Sequence, residues 1–239
     1  MMNTTTKIST ILFLSFALMA CSKTNSSNVK TKGMYVTFDV AGNNLNQVAC
    51  QAQFQVGGGT GTYLELDGAD TVTCDGQRMS KSEFLGIVTY TTNLPYQVGK
   101  NYKIIFSREG EAPYESTAIL PSAIASTSPA PNIQVKKGLG LTVSWTSDVD
   151  PRTQMDLTLS YDVPETGQTK HVYHYLTDSA PENGVLGFGA SDTMVTPAVS
   201  GAWAAEVKLK RVMVGSLAPG LVGVVTGSQE KMIPLTFID

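Results

Sequence analysis

The sequence predicts an all-β fold, two antiparallel sandwiches behind a leader and a short tether, and three observations carry that expectation. Apolar and polar residues alternate with a period of two almost throughout after residue 33, turn residues interrupt the alternation about every 8 to 12 positions, and no run of a dozen residues holds a helical stripe. The chain has 239 residues, 42% of them apolar and 15% charged, a balance that supports a buried core and excludes a disordered chain. That length suits two units of about a hundred residues each. The formal charge is -3, and because residues 1–20 carry Lys7 alone, their removal leaves 16 basic against 20 acidic residues. Such a chain repels phosphate backbones. Its densest basic run, Lys208-Leu209-Lys210-Arg211, is too short to form the patch that nucleic-acid binding needs, so no nucleic-acid partner is expected.

The leader comes first. Lys7 precedes an uncharged, mostly apolar run at 8–20, about thirteen residues where a membrane span needs about twenty. The run ends Leu18-Met19-Ala20-Cys21, which resembles the lipobox of bacterial lipoprotein precursors: an aliphatic residue three before the cut, a small one just before it, and an obligatory cysteine after it. The resemblance implies cleavage between Ala20 and Cys21, a thioether-linked diacylglycerol on Cys21, and an acyl chain such as palmitate on the new amine. Two or three chains anchor stably, because each buried methylene contributes about 0.8 kcal/mol and one chain alone is marginal. The expected location is the bacterial envelope, with a membrane as partner through Cys21. Ser22, standing where there is no Asp, resembles lipoproteins sent onward to an outer membrane. Residues 21–32, whose KTNSSNVKTK has almost nothing to bury, are expected to form a flexible tether.

Residues 33–121 are the expected first sandwich. Met34, Val36, Phe38 and Val40 form the inward side of one strand, and Val48, Cys50, Ala52, Phe54 and Val56 that of the next. Strands at 63–66 and 71–74 flank Asp67-Gly68, and Cys74 precedes an Asp75-Gly76 turn. A strand at 87–91 follows, then Tyr102, Ile104 and Phe106 alternate, Arg108-Glu109-Gly110 turns the chain, and 114–120 pairs back. Cys50 and Cys74 are the two cysteines left beyond Cys21, and in an oxidising envelope such a pair favours a disulfide. It closes a loop of about 24 residues and contributes roughly 3 kcal/mol.

Residues 122–131, with Pro121 just before them and Pro129 and Pro131 inside, read as a linker that spaces two domains without extending a sheet. Residues 132–239 are the expected second sandwich. There Leu139, Leu141, Val143 and Trp145 face one way in GLGLTVSW, and Leu141 to Trp145 resembles the second strand of fibronectin type III and related immunoglobulin-like domains. The resemblance implies a tryptophan buried between two sheets. Leu157, Leu159 and Tyr161 alternate in 155–162, Gly167 marks a turn, and 170–176 returns. Val207 and Leu209 alternate with Glu206, Lys208 and Lys210, and Ile233, Leu235 and Phe237 share one face of the last strand. Between them, 215–227 (GSLAPGLVGVVTG) suits a buried hairpin strand, the alternative being a loop presenting Leu217 and Leu221.

Candidate chemistry is sparse. Residues 57–62 (GGGTGT) lack the Lys-Ser/Thr pair and the helix of a phosphate loop and read as a hairpin turn. His171 and His174, three apart on a strand, fall on opposite faces and cannot hold one metal together. Asp148, Asp150 and Asp156 lack the glycine and terminal glutamate of a calcium loop and read as turn residues. No Gly-x-Ser-x-Gly elbow is present. No catalytic residue, metal ligand or cofactor is therefore assigned, and no enzyme activity is expected. Tyr90, Tyr96, Tyr173, Tyr175 and Trp203 are candidates for a stacking surface, with core packing as the competing role. The expected function is a non-enzymatic envelope module, structural or binding a protein partner, with carbohydrate binding or adhesion as the alternative and a hydrolase behind both.

Overall fold

A computed structural model describes residues 23–42, 47–97, 100–165, 168–178, 182–194 and 200–239. Ala20 and Cys21, and the turn at Gly167, lie outside them. The first part of the chain forms β1 (Lys23–Asn25), β2 (Met34–Gly42), β3 (Gln47–Val56), β4 (Thr62–Glu65), β5 (Thr71–Cys74), β6 (Gln77–Arg78), β7 (Ser80–Phe84), β8 (Ile87–Pro95), β9 (Asn101–Ser107) and β10 (Tyr114–Ile119). The remainder forms β11 (Ser126–Ser128), β12 (Ile133–Lys136), β13 (Leu141–Trp145), β14 (Thr153–Glu165), β15 (Gln168–Asp178), β16 (Val185–Phe188), β17 (Trp203–Val214) and β18 (Val222–Ile238). The fold is all-β, built as sandwiches of mostly antiparallel strands.

One core lies between β8-β3-β2 and the sheet ordered β10-β9-β5-β6. The inward sets read from alternation fill it: Met34, Val36, Phe38, Val40, Val48, Cys50, Ala52, Phe54, Tyr102, Ile104 and Phe106 are buried. Cys50 and Cys74 are joined as a disulfide across the two sheets, with Cα atoms 6.6 Å apart. The 63–66 and 71–74 strands do not pair with each other. β4 stays with β3, and β5 crosses to β9 in the facing sheet. The turn at Asp67-Gly68 thus joins sheets rather than strands of one sheet.

A second core lies between β12-β18-β17-β14-β15 and β11-β13-β16. In chain order, β13 sits with β16 in one sheet, and β14, β15, β17 and β18 in the other, which is the strand distribution of an immunoglobulin-like domain. Trp145 is buried between the sheets. Leu139, expected on the same side, is exposed, because the chain enters β13 only at Leu141.

The two cores share their last strand. The first part of β18 lies parallel to β2, pairing Val222 to Gln229 with Tyr35 to Gly42, while Thr226 to Phe237 pairs antiparallel with β17. Leu217, Ala218, Leu221 and Val225 accordingly pack in the first core, although the sequence places them in the second unit. The glycines of the GSLAPGLVGVVTG stretch have a steric reason. A Cβ on Gly227 would stand 1.9 Å from the Ile119 carbonyl oxygen, one on Gly215 2.3 Å from that of Thr117, and one on Gly223, at φ +149°, 1.9 Å from that of Val36. Only hydrogen lets β10 and β2 approach this strand so closely.

Two arginines, Arg211 buried and Arg108 half-buried, correct two further expectations. Residues 23–33 are docked rather than free: β1 pairs parallel with β4, and Arg108 donates to the carbonyls of Ser26 and Val29 and to the Thr31 hydroxyl, each at 2.9 Å, while pairing with Asp70. A polar segment whose one apolar side chain, Val29, packs against the first core is held here chiefly by hydrogen bonds from a distant turn. The 122–131 segment is also more than a spacer. Ser126 to Ser128 pairs with β13, and Arg211, 1% exposed, donates to the Ser122 and Ala123 carbonyls, the Ser122 hydroxyl and the Thr146 carbonyl while forming a two-pronged pair with Glu182. The basic run 208–211 is thereby split, with Lys208 and Lys210 facing Glu230 on the other side of β17.

Replacing Arg211 with Met strands the Glu182 carboxylate without its cation and is expected to cost about 3–5 kcal/mol in urea unfolding. Gly227→Ala is expected to cost about 1–3 kcal/mol by overpacking, with the spectroscopic signals of both cores lost in one shifted transition. At the N-terminal segment, hydrogen bonds from Lys81 and then Lys23 hold the Glu65 carboxyl below its ordinary value, and the Ser27 N–H and hydroxyl do the same for Asp67. A depressed carboxylate stabilises the fold above its ordinary pKa and ceases to do so as pH falls through the folded value. Amide exchange of β1, corrected for intrinsic rates, should therefore accelerate below about pH 4 while β2 remains protected.

Candidate functional site

The outer face of β15, β14, β17 and β18 turns away from the second core. Alternation along β15 places Val172, His174 and Leu176 toward the core and His171, Tyr173 and Tyr175 outward. Tyr173 and Tyr175 are 67% and 63% exposed. The register carries rows across the sheet: Tyr173 beside Ser160, then Glu206, then Pro234; and Tyr175 beside Thr158, then Lys208, then Met232. Small residues at Ser160 and Ala204 leave a floor between the larger side chains. The result is a shallow groove of 380 Å³ bordered by Tyr173, Asp162, Glu206 and Pro234.

This face combines large apolar contact area with polar ends, the composition of recognition surfaces. Pro234 and exposed Met232 were not singled out as site residues, although the inward reading of Ile233, Leu235 and Phe237 implies that their neighbours face outward. β15 pairs with β14 alone among the described residues, so one side of its backbone is an open edge.

The other aromatic candidates have structural roles. Trp203 is buried, stacked near Tyr161 and covered by the Lys137 ammonium 3.8 Å from its ring centre. Tyr90 is buried and its hydroxyl accepts the Leu66 N–H at 2.7 Å; Tyr96 packs partly buried against the first core. The five rings thus do not form one surface.

The histidines are separated, as their spacing predicts. His171 contacts Asp162 on the exposed face. His174 stacks on Tyr161, with Nε2 3.2 Å from the tyrosyl oxygen and Nδ1 3.5 Å from an Asp192 carboxylate oxygen. Neither of these partner sets contains a serine. The acids at 148–156 are also dispersed. Asp148 accepts from the Ser122 N–H and hydroxyl, Asp156 from the Thr177 hydroxyl, and Asp150 is bound by Arg152, whose guanidinium holds that carboxyl down to about 2. No group of three or more metal-ligating side chains gathers among the described residues. The glycine-rich 57–62 stretch turns β3 into β4, with Gly57 and Gly58 at φ +90° and +97°.

A second cavity of 490 Å³ opens at the edge of the first sandwich, bordered by Glu65, Asp70, Arg78, Lys81 and Tyr90. Most of its charges are already engaged. Glu65 pairs with Lys81 and Lys23, and Asp70 with Arg108.

No protein-family model matches the chain, and no curated protein matches it. Among solved structures it is similar to DIP-gamma IG1+IG2, at 7% identity over 86% of this chain and 95% of that one, with a TM-score of 0.22. It is also similar to the fibronectin(III)-like modules of Clostridium thermocellum CbhA, at 11% identity over 85% and 93% of the two chains and a TM-score of 0.23. A third is SGBP-B of the Bacteroides ovatus mixed-linkage glucan utilization locus, solved with a mixed-linkage heptasaccharide, at 10% identity over 85% and 61% and a TM-score of 0.19. The assignment of sandwiches stands on the strand pairing itself.

Proposed function

We propose that this chain is a lipid-anchored envelope protein that binds a protein partner through the outer face of β15, β14, β17 and β18, without catalysing a reaction. The exposure of Tyr173 and Tyr175 on one sheet face carries this reading, since an aromatic pair left open to water loses a burial that a partner restores. The open edge of β15 adds a second mode of contact, strand addition. The anchor rests on Leu18-Met19-Ala20-Cys21, and an outer membrane is the proposed destination from Ser22.

A saccharide-binding reading draws on a different feature, the groove beside Tyr173, where one ring stands over Ser160, Asp162 and Glu206. The inward turn of Trp203 leaves Tyr173 and Tyr175 as the exposed rings of this face.

A photo-crosslinking residue at Tyr175 in living cells should give a discrete adduct that one at Val149, which is 99% exposed in a loop, does not. Once the adduct is identified, Tyr173→Ala should weaken binding by about tenfold or more. Equal adducts at both positions would sink the assignment of this face. Retardation of the wild-type chain, but not of Tyr173→Ala, in gels containing a polysaccharide would favour the saccharide reading. Incorporation of a clickable fatty acid should be lost in Cys21→Ser.

A further inference from the structure

The hairpin of β7 and β8 ends in an apolar tip. Phe84 and Ile87 are paired across it, and Leu85 and Gly86, at φ +49° and +81°, make the two-residue turn. Phe84 is 73% exposed and Leu85 77%, and Ile87 is exposed beside them. All five residues of β7 are exposed, and the paired part of the hairpin packs on the first core through Val88 and Tyr90 of β8, so its tip reaches out beyond the buried part of the sheet. Beyond the Phe84–Ile87 cross-strand pair, the large side chains at this apex stay in contact with water.

Their position relative to the N-terminal segment gives them a use. Glu83, adjacent to the tip, accepts a hydrogen bond from Lys23 Nζ at 2.8 Å, and Lys23 is itself fixed by the pairing of β1 with β4. Lys23 follows Cys21 by two residues, a span of at most about 7 Å. A lipid on Cys21 therefore enters the bilayer within a short reach of Phe84 and Leu85. A docked segment, unlike a flexible tether, holds this corner of the first sandwich against the membrane. The lysine charges at the corner are offset by Glu65 and Glu83, so approach to a bilayer surface carries little unpaired charge.

We infer that the Phe84-Leu85 tip inserts into the lipid bilayer beside the acyl chains of Cys21, so that the first sandwich sits directly on the membrane in a fixed orientation. The inference rests on the lipid-anchor reading and adds a second, noncovalent membrane contact to it. Insertion to the depth of the headgroup and acyl boundary, about 5–10 Å, is what two such side chains reach.

The test uses the full chain carrying Phe84→Trp, expressed in bacteria fed a clickable fatty acid, purified and reconstituted in vesicles with or without lipids brominated on the acyl chains. The wild-type chain, whose Trp145 and Trp203 are buried, gives the fluorescence baseline. The expected result is acylated protein whose added emission is blue-shifted and quenched by the brominated lipid. Acylated, vesicle-bound protein with unquenched added emission overturns the insertion while leaving the anchor intact. An emission that shifts with protein density but not with bromine assigns the tip to a second copy of the chain and overturns it likewise. Absence of fatty-acid label overturns the anchor and, with it, the insertion.

Discussion

The last strand has to satisfy two hydrophobic cores at once. Along β18, Val225 faces the first core and Ile233, Leu235 and Phe237 the second, and between Thr226 and Gln229 the backbone pairs with β2 on one side and β17 on the other. A strand paired on both sides cannot shift register without moving every neighbour. Carbonyl oxygens of neighbouring backbones lie within 2.3 Å of any added Cβ at Gly223 and Gly227 on this strand and at Gly215 in the segment leading to it, and restrict all three positions to glycine. The two sandwiches are thus joined by a continuous hydrogen-bonded sheet as well as by the covalent connection at 121–131.

Two arginines close what the sheets leave open. Arg211 gathers three carbonyls, a hydroxyl and the Glu182 carboxylate at the junction, and Arg108 gathers the N-terminal residues onto the first sandwich. In both places a planar cation with five donors satisfies backbone oxygens that have no strand partner, which a lysine could not do with the same geometry. The buried Trp145 and Trp203 indole N–H groups have no acceptor among the described residues, so the second core tolerates polar atoms that the arginine clusters do not leave unpaired.

Alternation made the inward face of nearly every long strand legible, because burial on one side imposes a period of two that composition preserves. Met34 to Val40, Tyr102 to Phe106 and Ile233 to Phe237 all follow it, and the cysteine pair was legible from its even number and the compartment expected of the leader. Alternation tells which side of a strand is buried but not against what, so nothing in 215–229 distinguishes a strand of one core from a strand of two. The docking of 23–33 was hidden for a different reason. Its contacts come from Arg108 and Asp67, tens of residues away, and leave no apolar pattern. β7, with every residue exposed, has no alternation to read. At the candidate face, Tyr173 and Tyr175 were legible as an aromatic pair, whereas the fate of Trp203 depended on which way a strand entered the sheet, and Met232 and Pro234 emerge only as the complement of an inward set.

Because β18 follows in the chain all the strands it completes, the strands at 34–120 must wait for residues about a hundred positions downstream before their core is complete. Early segments of most multidomain chains finish folding while later ones are still being made. Here that order is blocked by topology, and the long loop to be closed slows assembly further. The earlier strands stay pliable until residues 222–229 have been made, so rigidity arrives late and at both cores together.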